Sequence, residues 1–228
     1  MCGILYGVGV GPGNPELLTL QAVKVLEAAD VIAVPDTGSE KTAMKIVEAY
    51  IKNKEIIFCP APMSRDLDFL TRSRQKCCQL LEEQLKLGRK VAFITLGDPT
   101  VYSTYMYIHR LIKEKGYTTK IIPGITSFCA SAAALETSLC DGGEPLHIIP
   151  ASYGDTEGLL FLKGSKVLMK SGKSIQEVKS LLAKTAGDSP VMMVECCGME
   201  NEKIYRSLEE IPENSSYFSI IIVKDAGL

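Results

Sequence analysis

The chain has 228 residues, of which 46% are hydrophobic and 23% charged, a globular balance with length for one large domain or two compact ones. Its formal net charge is −2, which argues against a protein that coats nucleic acid, since phosphate affinity comes from clustered Lys and Arg. No apolar run approaches the roughly 18–20 residues of a membrane span, so no membrane association is expected.

Residues 1–6 contain no basic leader and the apolar stretch breaks at Gly7, which predicts no signal peptide and a cytoplasmic location. The eight cysteines are therefore read as reduced and mostly buried thiols. Cys77-Cys78 and Cys196-Cys197 are adjacent pairs, and no C-x-x-C spacing occurs. With His109 and His147 as the two histidines, a structural zinc site is disfavoured and no protein-bound metal is expected.

In chain order, residues 5–10 read as a buried strand followed by Gly11-Pro12-Gly13. Asn14 suits an N-cap and Pro15 the first helical position, so a helix is expected from there to about Ala29. A second strand, 31–34, is ended by Pro35. A helix over 41–51, a strand over 55–58 and an amphipathic helix over 68–87, closed by Gly88, come next. The continuous apolar stretch 91–96 is a strand, 104–115 a helix and 120–122 a strand. Strand and helix alternate, which predicts a mostly parallel α/β sheet.

Pro123-Gly124 is the expected hinge between an α/β domain of residues 1–121 and a second α/β domain of residues 124–228. Beyond it a small-residue helix covers 127–135. Strands follow at 146–149, 166–169, 191–194 and 217–223, with a helix at 175–184. The run of consecutive strands predicts a mixed second sheet.

Three loops can carry chemistry. Gly7-Val8-Gly9-Val10-Gly11-Pro12-Gly13 fails the G-x-G-x-x-G dinucleotide fingerprint in both registers, because Asn14 or Pro12 stands where the third glycine belongs. Pro12 also lacks the N–H that a phosphate cradle uses. The loop therefore suits close approach of a ligand to backbone, or is a glycine-rich turn with no ligand. Leu96-Gly97-Asp98-Pro99 follows an apolar strand, beyond whose carboxyl end ligands of open α/β sheets bind. Taken alone, Asp98 and Pro99 read first as an N-cap and first helical residue. Pro123-Gly124-Ile125-Thr126-Ser127 brings two hydroxyls to the hinge, either as a helix cap or as ligand contacts.

In this order and spacing the three loops, with Leu17-Leu18-Thr19-Leu20 after the first, resemble those of the tetrapyrrole methylases over essentially the whole chain. Tyr6-Gly7-Val8, Pro62-Met63-Ser64-Arg65-Asp66, Thr100-Val101-Tyr102-Ser103-Thr104, Ile122, Phe128, Met169-Lys170 and Tyr217-Phe218-Ser219 are similar to the branch that methylates C20 of precorrin-2 or cobalt-factor II. The resemblance implies two α/β domains with an S-adenosylmethionine site in the cleft between them. It assigns the cofactor to Leu96, Gly97, Asp98, Val101, Tyr102, Thr126 and Ser127 from the first part of the chain. From the second it assigns Met169, Lys170 and Cys197. Gly11, Pro12 and Arg65 are the implied tetrapyrrole contacts; Arg65 alone would read equally as a solvated loop charge. A homodimer is likewise implied.

Two positions depart from the family. Many relatives have methionine where Lys170 stands, and the uroporphyrinogen-methylating relatives have an aspartate where Pro35 stands, with Asp36 one place later. No general base is assigned. An activated sulfonium methyl and an electron-rich meso carbon ask chiefly for alignment and exclusion of water, worth roughly 7–11 kcal/mol in favourable systems. Other readings are a uroporphyrinogen- or diphthamide-type methylase of the same fold and a non-catalytic tetrapyrrole carrier. Ribosomal RNA methylation is disfavoured by the acidic balance, and a nicotinamide oxidoreductase by the failed fingerprint.

Overall fold

The structure, a computed structural model, describes residues 2–37, 41–152 and 154–225. It divides into two compact units, Met1–Thr126 and Ser127–Leu228.

The first unit is a five-stranded sheet of β1 (Ile4–Gly9), β2 (Val31–Asp36), β3 (Glu55–Pro60), β4 (Lys90–Thr95) and β5 (Thr118–Ile122). Its order is β3-β2-β4-β1-β5 and every pair is parallel. Side chains of the central strands alternate between two apolar layers, as strands buried on both faces must. Ala92 and Ile94 pack with Val8, Leu26 and Val47 in one layer, and Val91 and Phe93 with Leu5, Leu81 and Ile108 in the other. The first layer receives α1 (Leu20–Ala28) and α2 (Thr42–Ile51), the second α3 (Leu67–Lys86) and α4 (Tyr105–Glu114). At the start of α3 the Asp66 carboxylate accepts the N–H groups of Asp68 and Phe69, each at 3.0 Å. Past its end Gly88 takes φ +78°, where a side chain would be strained.

Two local expectations are corrected. The helix foreseen from Pro15 to Ala29 is interrupted. Asn14 does accept the Glu16 N–H at 2.9 Å, but what it caps is a single 3-10 turn, Pro15–Leu17. Leu18 is extended, and Thr19 then caps α1 by accepting the Ala22 N–H at 3.1 Å. Two capping side chains stand five residues apart, and the second opens the long helix. Nor does Pro35 end β2, which pairs with β3 as far as Asp36↔Pro60. Pairing with β4 stops at Ala33, so the proline sits where one side of the strand has no ladder to interrupt.

The second unit begins with α5 (Ser127–Ala134), which packs on two strands of its own sheet. That sheet contains β6 (Leu146–Pro150), β7 (Ser165–Met169), β8 (Val191–Glu195), β9 (Lys203–Tyr205) and β10 (Ser219–Val223). The order is β6-β7-β10-β8-β9, with β6 and β7 parallel and the other pairs antiparallel. Leu168, Met193 and Ile221 form its core with Ile175, Val178 and Leu182 of α7 (Ile175–Thr185). The short α6 (Thr156–Leu160) and β9 have too few residues to show a period, which is why neither was foreseen.

All eight cysteines are free thiols. Cys59, Cys77 and Cys78 are buried in the first unit and Cys196 and Cys197 in the second, whereas Cys2, Cys129 and Cys140 are exposed. Burial pushes the Cys78 and Cys197 thiols up to about 11. No helix among the described residues is long and apolar enough to cross a membrane.

Gly7 of β1 lies directly under a fully buried ring: a methyl there would sit 2.0 Å from the nearest Tyr105 ring atom. The ring has little freedom to yield, because it packs 5.6 Å from the Phe93 ring and its hydroxyl donates to the Lys120 carbonyl at 3.1 Å. Gly7→Ala is therefore expected to destabilise the protein by about 1–3 kcal/mol. Chemical denaturation would measure this, and an unchanged midpoint would show that the ring moves aside.

Candidate functional site

At the carboxyl ends of β4, β1 and β5, neighbours in the first sheet, three loops meet through backbone. The Val10 N–H donates to the Thr95 carbonyl at 2.9 Å. Gly11 and Gly97 then form an isolated antiparallel bridge, with N–H to O distances of 3.3 Å from Gly11 and 2.7 Å from Gly97. A methyl on Gly9 would lie 2.6 Å from the Gly124 nitrogen and 2.7 Å from the Gly97 oxygen; one on Gly124 would lie 2.2 Å from the same oxygen. Glycine at 9 and 124 is thus required by contact. Gly97 is glycine for another reason: its φ is +70°, and the space a side chain would occupy is empty to 4 Å.

The next residue fixes this arrangement. Asp98 is 8% exposed. One carboxylate oxygen accepts the Thr100 N–H at 2.7 Å and the Thr100 hydroxyl at 2.5 Å, and the other accepts the Gly124 N–H at 2.9 Å. The expected role of Asp98 and Pro99 as helix cap and first helical residue is therefore corrected. Residues 99–104 are turn, bend and irregular backbone, α4 starts only at Tyr105, and the Ser103 hydroxyl accepts the Tyr105 N–H at 3.1 Å. One Asp98 oxygen holds the turn through Thr100 and the other holds the loop after β5, and the chain enters a helix only at Tyr105.

Around this junction lie most of the first-unit residues singled out in the sequence. Leu96 packs half-buried against the α1–α2 layer, and Pro12, next to Gly11, is buried. The Val101 N–H donates to the Asp98 carbonyl at 3.2 Å. Tyr102 is 46% exposed with φ +49°. The Thr126 hydroxyl, two residues past Gly124, is buried without a hydrogen-bond partner. Arg65 stands apart: it is exposed, in the loop between β3 and α3, and β2 separates the edge strand β3 from β4.

In the second unit, Ser127 opens α5 and Met169 ends β7. Lys170 has φ +59°, its carbonyl accepts the Ser152 hydroxyl, and burial holds its ammonium below the usual lysine range. Cys196, at φ +53°, turns the chain out of β8 into the buried Cys197, and its N–H donates to the Phe218 carbonyl at 2.9 Å. Because β10 runs antiparallel to both β7 and β8, Met169-Lys170 and Cys196-Cys197 leave the same end of the sheet, from strands about 10 Å apart.

Four non-glycine residues among those described have positive φ, and three of them, Tyr102, Lys170 and Cys196, coincide with or adjoin candidate residues. Such strain costs about 1–3 kcal/mol per residue and collects at ligand sites. One supporting residue left no signal in the sequence. Glu195, 8% exposed, accepts the Ser216 N–H and the Tyr205 hydroxyl and so holds the loop that precedes β10. Among the described residues no three His, Cys, Asp or Glu side chains gather as a metal site would.

A family model described as Tetrapyrrole (Corrin/Porphyrin) Methylases matches residues 4–212. A Methanocaldococcus jannaschii protein named "Probable cobalt-precorrin-2 C(20)-methyltransferase" is 38% identical over 225 residues, covering 96% of this chain and 95% of its own. A "Precorrin-2 C(20)-methyltransferase" of Sinorhizobium sp is 30% identical over 236 residues, with 97% and 95% covered. Among solved structures, a cobalt precorrin-4 methyltransferase has the same fold at a TM-score of 0.80 and 22% identity, covering 97% of this chain and 94% of that one. The uroporphyrin-III C-methyl transferase of Thermus thermophilus, complexed with S-adenyl homocysteine, matches at a TM-score of 0.75 and 20% identity over 97% of each chain. On the strength of a family match spanning nearly the whole chain and of relatives similar end to end, the chain belongs to the tetrapyrrole methylases.

Proposed function

We propose that the chain is an S-adenosylmethionine-dependent methyltransferase that adds a methyl to C20 of precorrin-2, metal-free or bearing cobalt, in cobalamin biosynthesis. One observation carries the cofactor assignment: a backbone face at Gly97, with φ +70° and empty space to 4 Å, in contact with Gly124, two residues before a buried Thr126 hydroxyl that lacks a partner. An unpaired buried hydroxyl costs free energy that a ligand's polar group can offset. A glycine face lets a ligand lie against backbone that any side chain would shield. These features fit the methyl donor, and relatives that bear the C20-methyltransferase name along their whole length support the substrate.

S-adenosylmethionine, when bound, supplies an activated sulfonium methyl. This chain's residues then have to bind, align and keep out water. Leu96, Gly97 and Asp98 offer backbone, Val101 and Tyr102 flank it, and Thr126 and Ser127 offer hydroxyls. In the second unit we assign Met169, Lys170 and Cys197 to the donor, supported by the left-handed backbone at Lys170 and Cys196. A thiol that burial holds near 11 stays protonated at neutral pH, so Cys197 acts as an apolar wall and takes no nucleophilic part. Gly11 and Pro12 are assigned to the tetrapyrrole, and Arg65 to its carboxylates, for which a guanidinium is a good bidentate partner. A cytoplasmic location and a homodimer belong to the same proposal, the first suited by the free thiols.

Gly97→Val is expected to weaken S-adenosylhomocysteine binding at least a hundredfold while the protein stays folded, having lost about 1–3 kcal/mol to a β-branched residue at positive φ. Retained binding by calorimetry would remove the loop from the cofactor site. Arg65→Ala is expected to raise the KM for the tetrapyrrole about tenfold or more, with the cofactor Kd unchanged; unaltered kinetics would remove Arg65 from the substrate site. Incubation with S-adenosylmethionine and either precorrin-2 or its cobalt complex, followed by mass spectrometry, tests the reaction. One added methyl on one of the two is expected, and no addition to either overturns the proposal.

A further inference from the structure

Three donors converge on the two oxygens of Asp98, and they come from opposite sides. The Thr100 N–H and hydroxyl belong to the turn after β4, whereas the Gly124 N–H, at 2.9 Å, belongs to the loop after β5. Gly124 has no side chain with which to hold its place, and its Cα side is pressed against the Gly97 carbonyl and Gly9. Two residues further on stands the buried Thr126 hydroxyl with no partner of its own. The carboxylate therefore ties the segment that presents this hydroxyl to the segment that presents the open face of Gly97. An amide cannot do the same: with one acceptor oxygen and one donor nitrogen, it must set a donor against either the Thr100 or the Gly124 N–H.

We propose that Asp98 is a positioning residue for the methyl donor. It acts through Gly124 on Thr126, fixing that hydroxyl relative to the Gly97 face, and its carboxylate does not itself touch the donor. This assignment rests on the cofactor site proposed above. It also separates two properties of the Gly97-Asp98-Pro99 loop: glycine offers the surface, and aspartate sets what lies opposite.

The test uses the full chain with Asp98→Asn, which preserves shape and removes one acceptor, and Thr100→Val, which deletes a single hydroxyl donor and leaves the tie to Gly124. In the ligand-free wild type the Gly124 amide should be protected from hydrogen exchange, and in Asp98→Asn it should exchange at least tenfold faster. The Kd for S-adenosylhomocysteine by calorimetry should rise at least tenfold in Asp98→Asn, equivalent to about 1.4 kcal/mol. It should stay within threefold in Thr100→Val. The KM for whichever tetrapyrrole the wild type turns over should stay within twofold in Asp98→Asn, whereas general loosening of the fold would raise Kd and KM together and would overturn the assignment. If Asp98→Asn does not fold, the wild-type exchange and Thr100→Val decide: an unprotected Gly124 amide, or a tenfold loss of affinity in Thr100→Val, overturns it. Binding by Asp98→Asn within twofold of wild type removes the positioning role and leaves the cofactor site standing. A wild type that does not bind S-adenosylhomocysteine overturns the cofactor site and the positioning role with it.

Discussion

Where β4, β1 and β5 end, the main chain packs against the main chain. Gly9, Gly97 and Gly124 approach so closely that a single methyl on the first or last would lie within about 2.7 Å of a neighbouring backbone atom. Parallel strands normally leave their carboxyl ends as separate loops, each held by its own side chains. Here the Gly11–Gly97 bridge carries pairing past the end of the sheet, and the Asp98 carboxylate carries it across to the β5 side. What results is a floor with almost no side-chain relief. Bonding of this kind favours a preorganised backbone surface, and preorganisation lowers the ordering cost of binding.

The same economy of side chains explains which features could be read from the residues. Apolar runs such as Val91-Ala92-Phe93-Ile94 announce strands buried on both faces, and their alternation with amphipathic helices makes a parallel sheet the simplest arrangement, as observed. The mixed second sheet was legible for the same reason, from strands that follow one another with little helix between. What was not legible depends on distance or on competition. The partner of Asp98 lies 26 residues away, so a local rule made it a cap and the fold made it a bridge. At residues 14–19 two good caps compete, and no propensity scale says which will open the longer helix. Three glycines, each placed at or just past an apolar strand, were visible as loops; their mutual contact was not, because contact requires the strand order.

Strain is distributed in a similar way. Tyr102, Lys170 and Cys196 hold left-handed backbone without being glycine; Lys170 and Cys196 directly follow a strand, and Tyr102 lies in the loop after one. A glycine would relieve the strain at each position, yet side chains are retained: an exposed phenol, a half-buried ammonium and a buried thiol. That choice is intelligible if the side chain's direction, set by the unusual backbone, is what the position supplies.

The placement of the thiols has a consequence for how the molecule breathes. Cys59, Cys77 and Cys78 are buried in one unit and Cys196 and Cys197 in the other, all shut away from water. A buried thiol meets an alkylating reagent only when the structure around it opens, so its labelling rate reports that opening. The chain thus carries an internal pair of clocks, one in each unit. With Cys2, Cys129 and Cys140 blocked first, mass spectrometry of the remaining sites can time the opening of each half separately, without a single introduced probe.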